Sequence, residues 1–199
     1  MSRNRDETRQ RLLDAALDLI ADEGFSALGV NAVARRAGAD KQLIYRYFGG
    51  LDDLTSAAGQ EVATRLTAAL TPAAAPATSY GALIERLASA LLRHLLQDRP
   101  YRQLRLMEAS APSSAIEAFR IARGKVLSEW LHQACGVLLP PPGVDAAAVN
   151  AVVIAAIEGI AILGPAGMPP AEAETRLLPV LLRLVRASYD PTRDGAPSV

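Results

Sequence analysis

Sulfur and imidazole are scarce in this 199-residue chain: it has one cysteine, Cys135, and two histidines, His94 and His132. A single cysteine makes no intrachain disulfide and no thiolate cluster, which fits a reducing, cytoplasmic setting. Two histidines and one cysteine also supply no convergent acid–base or nucleophilic set, so the chain is not read as an enzyme. Glu129 and His132 have the carboxylate–histidine spacing of a di-iron site, but Leu91 stands three residues before the other histidine, His94. That chemistry needs a second Glu/His pair on a facing helix, so no metal or other cofactor is expected. Gly159 to Gly164 has glycines at phosphate-loop spacing, yet Pro165 and Ala166 follow where lysine and a hydroxyl residue are required.

Charge of one sign is missing too. Lys and Arg number 21, and so do Asp and Glu, giving a formal net charge of zero. Nothing global therefore points to nucleic acid, and only the distribution of charge can. No long apolar run is free of polar residues. The nearest candidate, Asp145 to Leu163, is interrupted by Asn150 and Glu158. Glu158 would be costly in lipid, so this stretch is read as a buried helix and no membrane partner is expected. The polar, Arg-rich start lacks the apolar core of a signal peptide. Half the residues are hydrophobic and only 5% are aromatic. Alanine and leucine dominate what remains, favouring close-packed helices over sheets.

The stretch Val30–Phe48 organises the rest. Val30, Val33, Ala34 and Ala37 fall on one helical face, and Gly38 stops that helix. Asp40 is placed to cap a second short helix, anchored by Leu43, Ile44 and Phe48. So short a helix does not hold itself up in water and must dock on a neighbour. Docking turns Lys41, Gln42, Tyr45, Arg46 and Tyr47 outward. Cations, an amide and phenols on an exposed helix are what base edges and phosphates require. Lys41, Gln42 and Arg46 are assigned to base edges or nearby phosphates, and Tyr45 and Tyr47 to phosphates. Asn31 and Arg35 are placed at the DNA backbone.

At these residues the chain resembles the TetR family of transcriptional regulators. The resemblance rests on Gly38, Ala39, Asp40, Lys41, then Ile44, Tyr45 and the Tyr-x-x-Phe ending at Phe48. It extends back through Ala16–Phe25, so the motif covers roughly the first quarter of the chain. Two positions depart from the family pattern. Gly29 stands where a Ser or Thr usually opens the second helix, and Leu51 where a Lys usually opens the fourth. The resemblance implies an all-α protein with an N-terminal three-helix helix-turn-helix head and a C-terminal helical ligand-binding and dimerisation body. The divisions are 1–50 for the head, 51–190 for the body and 191–199 for a disordered tail. It further implies a cytoplasmic homodimer that binds a double-stranded, near-palindromic DNA operator. A small organic effector would release it, so it is read as a repressor. The body should hold a pocket, with Tyr101, Arg102, Met107, Phe119 and Trp130, and also Glu108 and His132, rich enough to line it. The alternative is a helical small-molecule-binding or adaptor protein whose head no longer binds DNA.

Along the chain, Met1–Asp6 reads as a disordered basic arm, either a solvated tail or one whose Arg3 and Arg5 reach into DNA, with Asn4 and Glu7 at capping-box spacing. Leu12, Ala16, Leu19 and Ile20 form the stripe of a first helix, ended by Gly24, with Phe25 and Leu28 plugging the head. After Gly49-Gly50 a helix carries Leu54, Ala58, Val62, Leu66 and Ala69 inward. A Pro/Ala loop, Thr71–Ser79, precedes a helix over Tyr80–Gln97 with Leu83, Leu87, Ala90, Leu91 and Leu95 inward. Helices from Asp98 to Ser110 and Ile116 to Cys135 flank a turn at Pro112–Ser114, and Ser114 and Glu117 form a second capping box. Pro170 opens a last helix, which Pro179 should kink, striped by Leu177, Val180, Leu181, Leu184 and Val185. Two such apolar helices suggest a four-helix interface between two copies.

Overall fold

The computed structural model describes residues 2–74, 76–110, 114–162, 164 and 168–189. Among them the architecture is all-helical: α1 (Ser2–Glu23), α2 (Val30–Ala37), α3 (Gln42–Phe48), α4 (Leu51–Leu70), α5 (Tyr80–Gln97), α6 (Arg99–Ser110), α7 (Ser114–Cys135), α8 (Ala146–Ile162) and α9 (Pro170–Ser188). No helix of the described residues is long and apolar enough to cross a membrane. The expected tail, 191–199, and most of the turn at 112–114 lie outside the described residues. The chain divides into two compact units. One comprises Met1–Arg65 and Asp98–Ser128, the other Leu66–Gln97 and Glu129–Val199.

In the first unit, α1 begins at Ser2, so the expected arm is helical. No glycine or proline occurs between Ser2 and Glu23, and each added residue extends an existing helix at little cost. Asn4 is thereby inside the helix, not at its cap, and its carbonyl accepts from Thr8 Oγ1 at 2.8 Å. The stripe is as expected: Leu12, Ala16, Leu19 and Ile20 are buried. Phe25 and Leu28 are only half-buried. They ride on the short 3-10 turn after Gly24, and the interior is already filled by Leu17, Ile20, Val33 and Ile44. In α4 the inward ladder runs Leu54, Ala58, Val62, Leu66 and then Leu70, leaving Ala69 exposed. Steps of four are kept to the end of the helix, where a step of three was expected.

In the second unit, α5 packs against α8 and α9, which also meet each other. Leu83, Leu87 and Leu95 point inward as expected, but Ala88 and Leu92 are buried while Ala90 and Leu91 are half-buried. Two partner helices cover a wider arc than one stripe and shift its centre. Asn150 of α8 joins all three helices. Its Nδ2 donates to Tyr80 Oη at 2.8 Å, and its Oδ1 accepts from Tyr189 Oη at 2.8 Å. Two ion pairs add to the seam: Arg186–Glu85 at 2.5 Å and Arg93–Glu174 at 2.8 Å.

The all-round burial expected for α8 is not met within one chain. Val153, Ile157 and Ala161 are buried, whereas Val152 is 69% exposed and Ile154 44%. The last helix is also two-faced. Leu178, Leu181 and Val185 are buried, Leu177 is half-buried, and Val180 and Leu184 are exposed. Pro179 lies inside α9. Between α8 and α9 runs an apolar groove of about 310 Å³, lined by Val149, Val152, Val153, Ala156, Leu181 and Leu184 among others.

Candidate nucleic-acid interface

The head is built around the turn between α2 and α3. Helix α2 is docked by Val33, Ala34 and Ala37, all buried. Gly38 then adopts the left-handed conformation, φ 59°. Its neighbour Ala39 donates its amide to the Ala34 carbonyl at 3.0 Å, and Gly38 N–H donates to Arg35 O at 3.2 Å. These bonds satisfy the last carbonyls of α2 and fix the direction in which the chain leaves it. Asp40 closes the turn from the other side. Its Oδ1 accepts from the Gln42 amide at 2.8 Å and its carbonyl from the Leu43 amide at 3.0 Å. The aspartate thus caps the first turn, and regular helix follows from Gln42.

Helix α3 is held by Ile44, fully buried, and Phe48, 8% exposed; Leu43 is half-buried. Lys41, Gln42 and Arg46 are exposed and Tyr45 is 56% exposed. The structure therefore brings four of the five assigned α3-region side chains onto the open surface. Tyr47 is half-buried, its ring 5.9 Å from the Arg46 guanidinium and 5.9 Å from that of Arg5. On α2, Asn31 and Arg35 are exposed.

The adjacent Arg36 is differently placed. It reaches Asp22 at 3.0 Å and Glu23 at 2.7 Å, pinning α2 to the end of α1. The hydrogen bond from Arg36 to Asp22 holds this guanidinium above its ordinary pKa; desolvation opposes the rise and Glu23 adds to it. Asp22 also accepts from Arg99 of α6 at 3.4 Å. Two arginines of α1, Arg5 and Arg9, join this edge of the head without any sequence motif that marks them. Arg9 lies over the Phe48 ring at 4.9 Å, one helical turn after Arg5. Their spacing of four residues is a visible signal, but only for residues already known to be helical.

The pocket residues are distributed over both units. Tyr101 is buried at 2% exposure, with the Arg123 guanidinium 5.5 Å from its ring. Arg102 and Met107 are half-buried on the same helix. Nearby, Glu108 is paired with Arg105 and with Arg123 at 3.0 Å. Trp130 belongs to the second unit and donates from Nε1 to Thr71 Oγ1 at 3.2 Å. His132 is exposed, and the Phe119 side chain lies outside the described residues.

The sequence pattern described as "Bacterial regulatory proteins, tetR family" matches residues 12–58, which span the docked part of α1, the turn, α3 and the start of α4. Residues 12–58 thus carry the sequence pattern of the tetR family. The chain is also similar in sequence to an HTH-type transcriptional repressor of Mycobacterium tuberculosis, 34% identical over 104 residues, 52% of this chain and 55% of that protein. The chain thus spans about half the length of the curated relatives it matches. The fold is shared more widely. A TetR family transcription regulator from Marinobacter aquaeolei VT8 superposes with a TM-score of 0.63 at 18% identity, covering 94% of this chain and 98% of that one. A transcriptional regulator, FadR from Bacillus subtilis, solved in complex with stearoyl-CoA, gives 0.64 at 16% identity, covering 87% and 97%. At such identities the likeness is one of fold: an all-helical protein with an N-terminal helix-turn-helix.

Proposed function

We propose that this protein is a ligand-responsive, DNA-binding transcriptional regulator of the tetR family, a repressor released from a palindromic operator by a small organic molecule. The observation that carries the reading is α3: buried on Ile44 and Phe48, open at Lys41, Gln42, Tyr45 and Arg46. Lys41, Gln42 and Arg46 reach base edges and nearby phosphates. Tyr45 and Tyr47 position the helix on the backbone, with Asn31 and Arg35 of α2 beside them. The head is residues 1–50 and the body 51–190. In the cytoplasm, two copies pair through α8 and α9, whose exposed Val152, Val180 and Leu184 and apolar groove support such an interface. Two copies of α3 then enter successive major grooves, about 34–36 Å apart.

The effector is a small organic molecule bound in the body, with Tyr101, Arg102, Met107 and Phe119 of the first unit as the lining residues. The similarity of fold to a regulator crystallised with stearoyl-CoA supports a body able to take such a ligand. Binding that favours the wrong spacing of the two heads lowers operator affinity by a coupling of about 1–3 kcal/mol. A second reading, an adaptor with a silent head, is favoured by Gly29, which caps α2 without any side-chain hydrogen bond, and by Leu51 opening α4. Selection of bound sequences from a random DNA pool separates them. A regulator enriches a palindromic site, and the Lys41→Ala/Tyr45→Ala variant, with normal helicity and dimer mass, recovers none. No enrichment by the wild type, or retained enrichment by the variant, overturns the proposal.

A further inference from the structure

The first helix of the head, α1, contributes cations to the same edge as α3. Arg5 and Arg9 lie one turn apart on α1, and both are exposed. The Arg5 guanidinium lies 5.9 Å from the centre of the Tyr47 ring, and that of Arg9 lies 4.9 Å from the centre of the Phe48 ring. Tyr47 and Phe48 form the last turn of α3. Arg46 also stands 5.9 Å from the Tyr47 ring. The Tyr47 ring therefore has one guanidinium from each helix beside it, and Phe48 a third cation.

Each aromatic face is a weak electrostatic seat that attracts a guanidinium without discharging it. A ring cannot neutralise a cation as a carboxylate does. Arg36 marks the contrast: its charge is offset by Asp22 and Glu23. Arg5, Arg9 and Arg46 instead keep their charge and their donors while their swing is limited by the rings. Because α1 is helical from Ser2, Arg5 is carried on a rigid rod, not on a trailing arm.

We propose that Arg5 and Arg9 form a second phosphate-binding edge, held in place by the Tyr47 and Phe48 rings, which grips DNA beside α3 without reading its sequence. The inference rests on the DNA-binding reading above and names further residues of that interface. Tyr47 acts in it as a positioning residue through its ring, in addition to any contact by its hydroxyl.

The test is the salt dependence of binding to a duplex recovered by selection from a random pool. The slope of log K against log salt falls in magnitude by about 0.9 for each phosphate the protein no longer neutralises. Arg5→Gln/Arg9→Gln removes four cations from a dimer and should reduce the slope by about two to four units, weaken binding at low salt, and leave the selected sequence unchanged. An unchanged slope, or a changed sequence preference, overturns the inference. Tyr47→Phe should keep the wild-type slope, and Tyr47→Leu should lose about the contribution of Arg5. If Phe and Leu behave alike, the ring is not the seat. Helicity and melting temperature of each variant are compared with wild type, and the glutamines are chosen because they remain compatible with an exposed helix face. Failure of the wild type to select any sequence would instead refute the DNA-binding reading, so the two failures are distinct.

Discussion

Gly81 and Tyr189 meet so closely that a Cβ built on the glycine would stand 2.8 Å from the Tyr189 Cβ. The contact sets how near the start of α5 can approach the end of α9. Gly81→Ala gains roughly 1 kcal/mol of helix propensity but overpacks the seam by about 1–3 kcal/mol. A net loss is expected, seen as a lowered melting temperature. A variant as stable as wild type would mean that α9 moves aside freely.

Alkaline pH tests the same seam. Burial, reinforced by neighbouring Tyr80, pushes the Tyr189 phenol up to about 12 from an ordinary 10. The folded state therefore prefers the neutral phenol. The stabilisation this gives is complete below pH 10 and is lost as pH rises from 10 towards 12. Urea midpoints measured across this range should fall, and Tyr189→Phe should remove part of the decline. A tyrosinate absorbance titration of the folded wild type should show one phenol ionising later than in the unfolded chain, and Tyr189→Phe should remove that late step.

Gly38 tests the turn. A Cβ there would meet nothing within 4 Å, so the cost of Gly38→Ala is the left-handed backbone alone. About 1 kcal/mol is expected, and less for Gly38→Asn, by thermal melting. A larger loss would indicate that the direction of α3 depends on more than this residue.

The exposed apolar faces of α8 and α9 test the assembly. Val152→Glu/Leu184→Glu places two charges on surfaces 69% and 61% exposed in one chain, so folding should be little affected. Sedimentation should show a monomer at concentrations where the wild type is dimeric. A dimer of wild-type affinity would remove these helices from the interface.

Helix placement after α1 is legible in the sequence where a boundary carries its own local chemistry. Gly38 and Asp40 delimit the turn, Gly49-Gly50 separates α3 from α4, and Pro170 opens α9. Burial was less legible where more than one neighbour competes for a helix. The stripe of α5 was centred on Leu91, whereas packing by both α8 and α9 moves it to Ala88 and Leu92. The exposed set on α3 followed directly from Ile44 and Phe48 as anchors. The partnership of Arg5 with Tyr47 did not, because it joins residues far apart in sequence and requires α1 to be helical where its composition suggested a loose arm. Neither could sequence separate Arg35 from Arg36; only the position of Asp22 and Glu23 does that.

Asp22 offers one oxygen to Arg36 of α2 and the other to Arg99 at the start of α6. A single carboxylate thus ties both α2 and α6 to the end of α1. Displacing the first turn of α6 would alter the grip on the helix that aims α3, and would move the buried Tyr101 with it. With side chains 50% and 60% exposed at the Arg99 link, that grip is loose and would slacken further as ionic strength rises.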